Sequence, residues 1–151
     1  MANTTFTGPV TSTNGFVGAV TGNVTGNIAN PTFTHTPEAI NATATATAAQ
    51  VATGYITSTS AAATTITLPT GTLLGAALGA VQGTVFDLYI DNTAGASTVT
   101  IAVAVNGILS ALAAAEAGGS GLLTIPAGVT GQAQFTLMFS SATAYTFSRV
   151  A

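Results

Sequence analysis

Thr84-Val85-Phe86-Asp87-Leu88-Tyr89-Ile90-Asp91 decides the fold class. Phe86, Leu88 and Ile90 fall on one side of this run and Asp87, Tyr89 and Asp91 on the other, which is the two-residue period of a half-buried strand. Asn92-Thr93-Ala94-Gly95 then supplies a turn. Beyond it Val99, Ile101, Val103 and Val105 line one face of a second strand. The two runs are expected to pair as a hairpin.

The same pattern continues outward in both directions. Downstream, Leu122 to Ile125 reads as a short strand closed by Pro126-Ala127-Gly128. Gln132 to Phe139 turns Phe135, Leu137 and Phe139 inward, and a Ser140–Thr143 turn leads to Ala144–Val150, where Tyr145, Phe147 and Arg149 share a face. Ile108 to Ala117 is a short helix or a loop excursion, and Gly118-Gly119-Ser120-Gly121 is a flexible link. Upstream, Thr64-Thr65-Ile66-Thr67-Leu68 is a strand stopped by Pro69, followed by a helical turn over Leu73–Leu78 that ends near Gly79 or Gly83. Gln50 to Ser58 reads as a strand with Val51, Thr53, Tyr55 and Thr57 on one face. Thr43, Thr45 and Thr47 alternate with alanines as another, and Thr32 to Thr36 alternates around Phe33 and His35 as a short half-buried one.

Many short strands separated by turn residues predict an all-β chain, a β-sandwich or jelly-roll-like domain with one short helix. The expected core is Ile66, Leu68, Phe86, Leu88, Ile90, Val99, Ile101, Val103, Phe135, Leu137 and Phe139.

Charge sets this chain apart. Asp, Glu, Lys and Arg make up 3% of 151 residues, against about 25% in an ordinary soluble domain. There is no lysine; Arg149 is the one strong cation, and the acids are Glu38, Asp87, Asp91 and Glu116. A free monomer stays dispersed through mixed surface charge and blunts its strand edges with charged side chains, lysine above all. With the means for neither, this exterior is expected to be covered by copies of the chain or by a larger assembly.

The composition also narrows the function classes. A net charge of −3 gives no basic footprint for nucleic acid. Without cysteine there is no disulfide framework, zinc–thiolate site or thiol nucleophile. Met1 to Phe6 lacks the basic segment and apolar run of a secretory signal. Mean hydropathy is +0.60, yet the nearest membrane-span candidate, Val99 to Ala115, is short and broken by Thr100, Asn106 and Ser110, so no membrane partner is expected.

Catalysis has little to work with. His35 is the sole imidazole, with Glu38 its nearest acidic partner in sequence, and no Gly-x-Ser-x-Gly elbow occurs. Asp87 and Asp91 share a strand face about 13 Å apart along the backbone, wider than paired glycosidase carboxylates require. No catalytic, metal or cofactor-binding residue is assigned. Asp87, Tyr89, Asp91 and Arg149 are instead candidate interface residues, with Arg149 able to pair with Asp87 or Asp91 across the sheet, to meet an acid of a neighbouring subunit, or to lie exposed. Thr43, Thr45 and Thr47 have the spacing of a flat ice- or carbohydrate-binding face, although the spacing does not recur.

Residues 1–37 carry no Asp, Glu, Lys or Arg and form a segment distinct from residues 38–151. After the turns at Gly8-Pro9 and Asn14-Gly15, the steps Ala19-Val20-Thr21-Gly22, Asn23-Val24-Thr25-Gly26 and Asn27-Ile28 recur every four residues. The segment reads as an extended arm whose Phe6, Val10, Phe16, Val20, Val24 and Ile28 gain order on a neighbour; the other reading is a loose glycine-rich terminus.

Two passages resemble structural proteins of tailed bacteriophages. One is Asn3-Thr4-Thr5-Phe6-Thr7-Gly8-Pro9-Val10 with Asn14-Gly15-Phe16. The other runs from Thr65 to Val150 and carries Ile66-Thr67-Leu68-Pro69, Gly83-Thr84-Val85-Phe86, Asp91-Asn92-Thr93-Ala94-Gly95, Thr98-Val99-Thr100-Ile101, Ile125-Pro126-Ala127-Gly128 and Ala144-Tyr145-Thr146-Phe147. The resemblance implies a virion protein of the head decoration (cement) type on the capsid surface, made in the host cytoplasm. It implies a homotrimer that binds the major capsid protein and adds no chemistry. In some such proteins an N-terminal arm extends a capsid sheet, a role that would fall on Thr4 to Ile28. A self-assembling fibre, tail or surface-layer subunit is the alternative.

Overall fold

The computed structural model describes residues 34–109 and 123–150; the candidate arm residues Phe6, Val10, Phe16, Val20, Val24 and Ile28 lie outside them. Among the described residues ten strands and two helices follow in the order β1 (Glu38–Ala39), β2 (Ala44–Thr45), α1 (Ala48–Ala52), β3 (Tyr55–Thr57), β4 (Thr64–Thr67), α2 (Gly71–Leu78), β5 (Val85–Asp91), β6 (Val99–Ala102), β7 (Gly107–Leu109), β8 (Thr124–Ile125), β9 (Gln132–Ser141) and β10 (Ala144–Arg149). The chain is mainly β, in two mixed sheets. One has six strands in the order β1-β3-β5-β9-β10-β7, the other four in the order β2-β4-β6-β8.

From β1 to β8 the chain alternates between the sheets, one strand in each. The pairs β1/β2, β3/β4 and β5/β6 therefore stack as three parallel coils. Glu38 lies beside Ile56 and Ile56 beside Ile90 in one sheet, while Ala44 lies beside Ile66 and Ile66 beside Ile101 in the other. Parallel neighbours need a long crossover, and here each crossover includes a strand of the opposite sheet, with α1 in the first and α2 in the second. Backbone bonding runs on through the corners: the N–H groups of Ile40, Ser58 and Asn92 donate to the carbonyls of Thr57, Asp91 and Gly131 at 2.9, 2.8 and 2.6 Å. Beyond β5 the six-stranded sheet turns antiparallel through β9 and β10, and β7 joins β10 in parallel.

The hairpin expected after Asp91 does not form. β5 pairs with β3 and β9, and the chain leaves through Asn92 for β6 in the other sheet. Asn92 is fully buried and holds this corner. Its Nδ2 donates to the carbonyls of Ser97, Pro126 and Ile125 at 2.8, 3.0 and 3.2 Å, tying the turn to the one end of the four-stranded sheet's last pair where β6 begins and β8 stops.

The expectation of one short helix is also corrected. Gln50 to Ser58 is not a single strand: Ala48–Ala52 is helical, because Thr47 accepts the Gln50 N–H on its hydroxyl while the Gln50 side chain accepts the Thr47 N–H, a reciprocal cap. Thr47 is thereby committed to helix capping, so Thr43, Thr45 and Thr47 do not form a flat threonine face. Residues 34–37 form no strand. The helical turn expected at Leu73–Leu78 is present as helix α2, two residues longer at its start; Thr70 caps its start and Gly79, at φ 59°, its end. Its Gly71 and Gly75 sit against the carbonyls of Thr143 and Ala142 in the β9–β10 turn, where no side chain fits.

Both sheets feed one buried cluster. Nine of the eleven expected core residues are buried, and Phe86 and Val103 pack on the cluster half-buried. Phe135 and Phe147 stack at 4.7 Å as diagonal neighbours across β9 and β10. Val51, Ile56, Leu74, Ile125, Tyr145 and Phe147 are among the further residues of the core. Tyr145 is buried to its hydroxyl, which donates to the Pro69 carbonyl at 3.0 Å; burial pushes its phenol up to about 12. Each fully buried side chain of this size contributes about 1.5–3 kcal/mol.

Candidate functional site

Alternation on β5 and β9 builds the candidate site. With Phe86, Leu88 and Ile90 turned inward, Val85, Asp87, Tyr89 and Asp91 stand on the outer face of the six-stranded sheet, opposite Met138, Thr136, Gln134 and Gln132. Register then sets the rows across neighbouring strands. Val85, Met138, Thr146 and Ile108 run in line over β5, β9, β10 and β7. The three hydrophobic members of that row are more than half exposed. Asp87, Thr136 and Ser148 form the next row; the Thr136 hydroxyl donates to Asp87 at 2.7 Å.

The third and fourth rows are polar and aromatic. Tyr55 of β3 sits beside Tyr89, which faces Gln134; Thr57 sits beside Asp91, which faces Gln132. The Tyr55 hydroxyl donates to Asp91 Oδ2 at 2.7 Å, and Thr93 donates to Oδ1 from its N–H at 2.8 Å and its hydroxyl at 2.6 Å. The Thr93 and Tyr55 bonds hold the Asp91 carboxyl below the usual carboxylate range. Conversely, the bond to Asp91, with burial second, raises the Tyr55 phenol. Tyr89, Gln132, Ala133 and Gln134 line a hollow of about 190 Å³.

His35 closes one side of this cluster. Its Nδ1 lies 2.9 Å from the Thr53 carbonyl and its ring 5.7 Å from that of Tyr89. The expected partner Glu38 is not what holds it: the close approach to Gly54, whose missing Cβ leaves room for the imidazole, seats the ring against the Thr53-Gly54 turn that leads into β3.

Arg149 is separated from the other three candidate interface residues. It shares β10's inner face with Tyr145 and Phe147, lies 5.9 Å from the centre of the Phe135 ring, and donates to the Thr124 carbonyl of β8 at 3.0 Å. The guanidinium thus bridges the two sheets at their margin. Pairing with Asp87 or Asp91, which stand on the other face, is replaced by this bridge. Sequence reasoning missed Tyr55, Gln132, Gln134 and His35 as members of the outer cluster, although the alternation that turned Phe135 inward already turned both glutamines outward.

Among the described residues no group of three or more metal-ligating side chains occurs, and no helix is long and apolar enough to cross a membrane. The span candidate at Val99–Ala115 supplies β6 and β7 as far as residue 109. Among the described residues β1 and β2 end their sheets on the same side, each with one strand neighbour. Comparison with family models, curated proteins and solved structures finds no match to the chain.

Proposed function

We propose that this chain is a structural protein of a tailed-phage particle. It decorates and stabilises the capsid as a homotrimer held to the major capsid protein by protein contacts, with the segment 1–37 adding a strand to a neighbouring sheet. In this reading the two sheets act as a rigid sandwich-like unit, and the work is binding rather than catalysis.

One observation carries the reading: an exposed apolar row crosses the outer face of the six-stranded sheet on a chain with almost no charge. Val85, Met138 and Ile108 expose apolar surface across four strands, and β2 has no charged residue at all. Apolar rows of this kind are what partners cover. The phage-like passages point to a virion as the assembly.

Co-sedimentation with capsids stripped of their decoration tests it. The full chain is expected to pellet with shells and raise their resistance to heat. A chain lacking residues 1–28 is expected to keep its circular dichroism spectrum and lose most of its occupancy. Equal occupancy by the shortened chain removes the arm from the account; absence of binding by the full chain removes the capsid.

A second reading, a fibre or tail subunit, is favoured by the parallel coils. Because β1 and β2 end both sheets together, a second molecule can stack on that end without changing direction. Electron microscopy of the purified chain separates the two: filaments without shells support the fibre.

A further inference from the structure

The outer-face cluster at Tyr89 has features that protein assembly does not require. Adjacent strands lie about 4.8 Å apart and alternate residues on one strand about 7 Å apart. The square made by Tyr89, Gln134, Gln132 and Asp91, widened by Tyr55, is therefore about 10 Å by 7 Å, the footprint of one or two sugar rings. Tyr89, Gln132 and Gln134 line a shallow, open hollow of about 190 Å³, and Asp91 and Tyr55 flank it by register.

The chemistry of the square is equally selective. Two glutamine amides, two residues apart on β9, each offer a donor and an acceptor; a hydroxyl likewise donates and accepts. Asp91 adds a carboxylate already fixed by the Tyr55 hydroxyl and by Thr93. Little ordering is left for a ligand to impose on it. Tyr89, backed by the His35 ring, gives an aromatic surface against which the C–H face of a sugar can rest. The one formal charge in the cluster is negative, and Arg149 lies on the opposite face of the sheet, so an anionic ligand is disfavoured.

We propose that Tyr89, Asp91, Gln132 and Gln134, with Tyr55 as one wall, form a binding site for a neutral saccharide. Tyr89 provides the stacking surface, Gln132 and Gln134 bond a pair of neighbouring hydroxyls, and Asp91 accepts from a third. The site does not depend on the capsid reading: a decorating protein that holds neutral glycans would tether its particle to glycan-coated surfaces, and the same site would serve a fibre.

Saturation-transfer NMR of the full chain tests it, with neutral oligomers of glucose, galactose, mannose and N-acetylglucosamine as probes and sialylated lactose as the anionic control. At least one neutral oligomer is expected to receive saturation and to shift the Tyr89, Gln132 and Gln134 resonances, while the anionic control does not. Tyr89→Ala and Gln134→Ala are each expected to weaken binding by about tenfold or more, with a circular dichroism spectrum like that of the parent. Met138→Ala, on the apolar row of the same face, is expected to leave affinity unchanged. No shift with any neutral oligomer at about 10 mM, an affinity weaker than about −3 kcal/mol, overturns the proposal. So does preference for the sialylated control, or binding that survives the Tyr89→Ala, Gln134→Ala double variant.

Discussion

Asn92→Asp changes one buried atom's chemistry without changing the side chain's shape, and so isolates what holds the corner between the sheets. In the parent, Nδ2 faces three carbonyl oxygens at 2.8, 3.0 and 3.2 Å. An amide nitrogen is required there, since an oxygen would face three acceptors, and this settles the orientation of the amide. In the variant a carboxylate oxygen takes that place inside a fully buried site. The lost hydrogen bonds, about 1 kcal/mol each, are part of the about 3–5 kcal/mol that leaving a buried charge uncompensated costs. The expected destabilisation at pH 7 is therefore about 3–5 kcal/mol, a large share of the ~5–15 kcal/mol that holds a domain together.

Protonation gives the prediction its direction. Burial among carbonyls raises the folded-state pKa of the new carboxyl above its unfolded value of about 3.9. Below that value both states are protonated, and a neutral carboxyl can donate one bond, so most of the deficit disappears. As pH rises from the unfolded to the folded pKa the deficit grows, and above the folded pKa it is constant. Urea unfolding followed by circular dichroism, with the parent measured at each pH, reads the difference directly. A variant as stable as the parent at pH 7, or one whose deficit is larger at pH 3 than at pH 7, would refute the reasoning.

Other perturbations test separate parts of the fold. Gly75→Ala places a methyl on the Ala142 carbonyl and is expected to cost about 2 kcal/mol or more despite alanine's better helix propensity, seen as a lower melting temperature. Tyr145→Phe leaves the buried Pro69 carbonyl without its donor and is expected to cost about 1–2 kcal/mol in urea. In the parent, the phenol is pushed up to about 12 when folded; it ionises near 10 when unfolded. The Tyr145 contribution is thus intact below pH 10 and lost as pH rises from 10 towards 12, and Tyr145→Phe is expected to flatten that alkaline loss. Met138→Asp, at the centre of the exposed apolar row, is expected to weaken self-association while leaving the urea midpoint nearly unchanged, as sedimentation at several concentrations will show.

How much of this was legible follows from what alternation encodes. Period two says which residues of a strand share a face, so the inward faces of β5 and β9 were readable from Phe86 and Phe135 onward, whereas Tyr145 and Phe147 of β10 were grouped on one face but not placed in the core they fill. It does not name the neighbouring strand. Asn92-Thr93-Ala94-Gly95 has turn chemistry that suits both a hairpin and a corner, and the difference lies in the buried bonds of Asn92, which link residues 92, 125 and 126. Nor could the stacked coils be seen as a repeat. Glu38 to Ile56 and Ile56 to Ile90 are unequal steps, because α2 lengthens the second crossover. Helix α1 did leave a signal, the Thr47-x-x-Gln50 cap, but the alternating threonines and alanines before it masked the change of period.

The site divides in the same way. Tyr89 and Asp91 were found because they are the polar face of the clearest strand. Gln132 and Gln134 carry no charge or reactivity to attract notice, and Tyr55 joins them only through the parallel register of β3 with β5. Arg149 was placed on the correct face with Tyr145 and Phe147, yet its reach to Thr124 depends on the second sheet, which no local pattern reveals.

Sedimentation velocity of the purified full-length chain bears most directly on the claim that partners cover this nearly uncharged exterior. The account expects a discrete species near three times the 14.6 kDa chain mass, holding together on dilution. A monodisperse 14.6 kDa particle that remains dispersed at high concentration would contradict it.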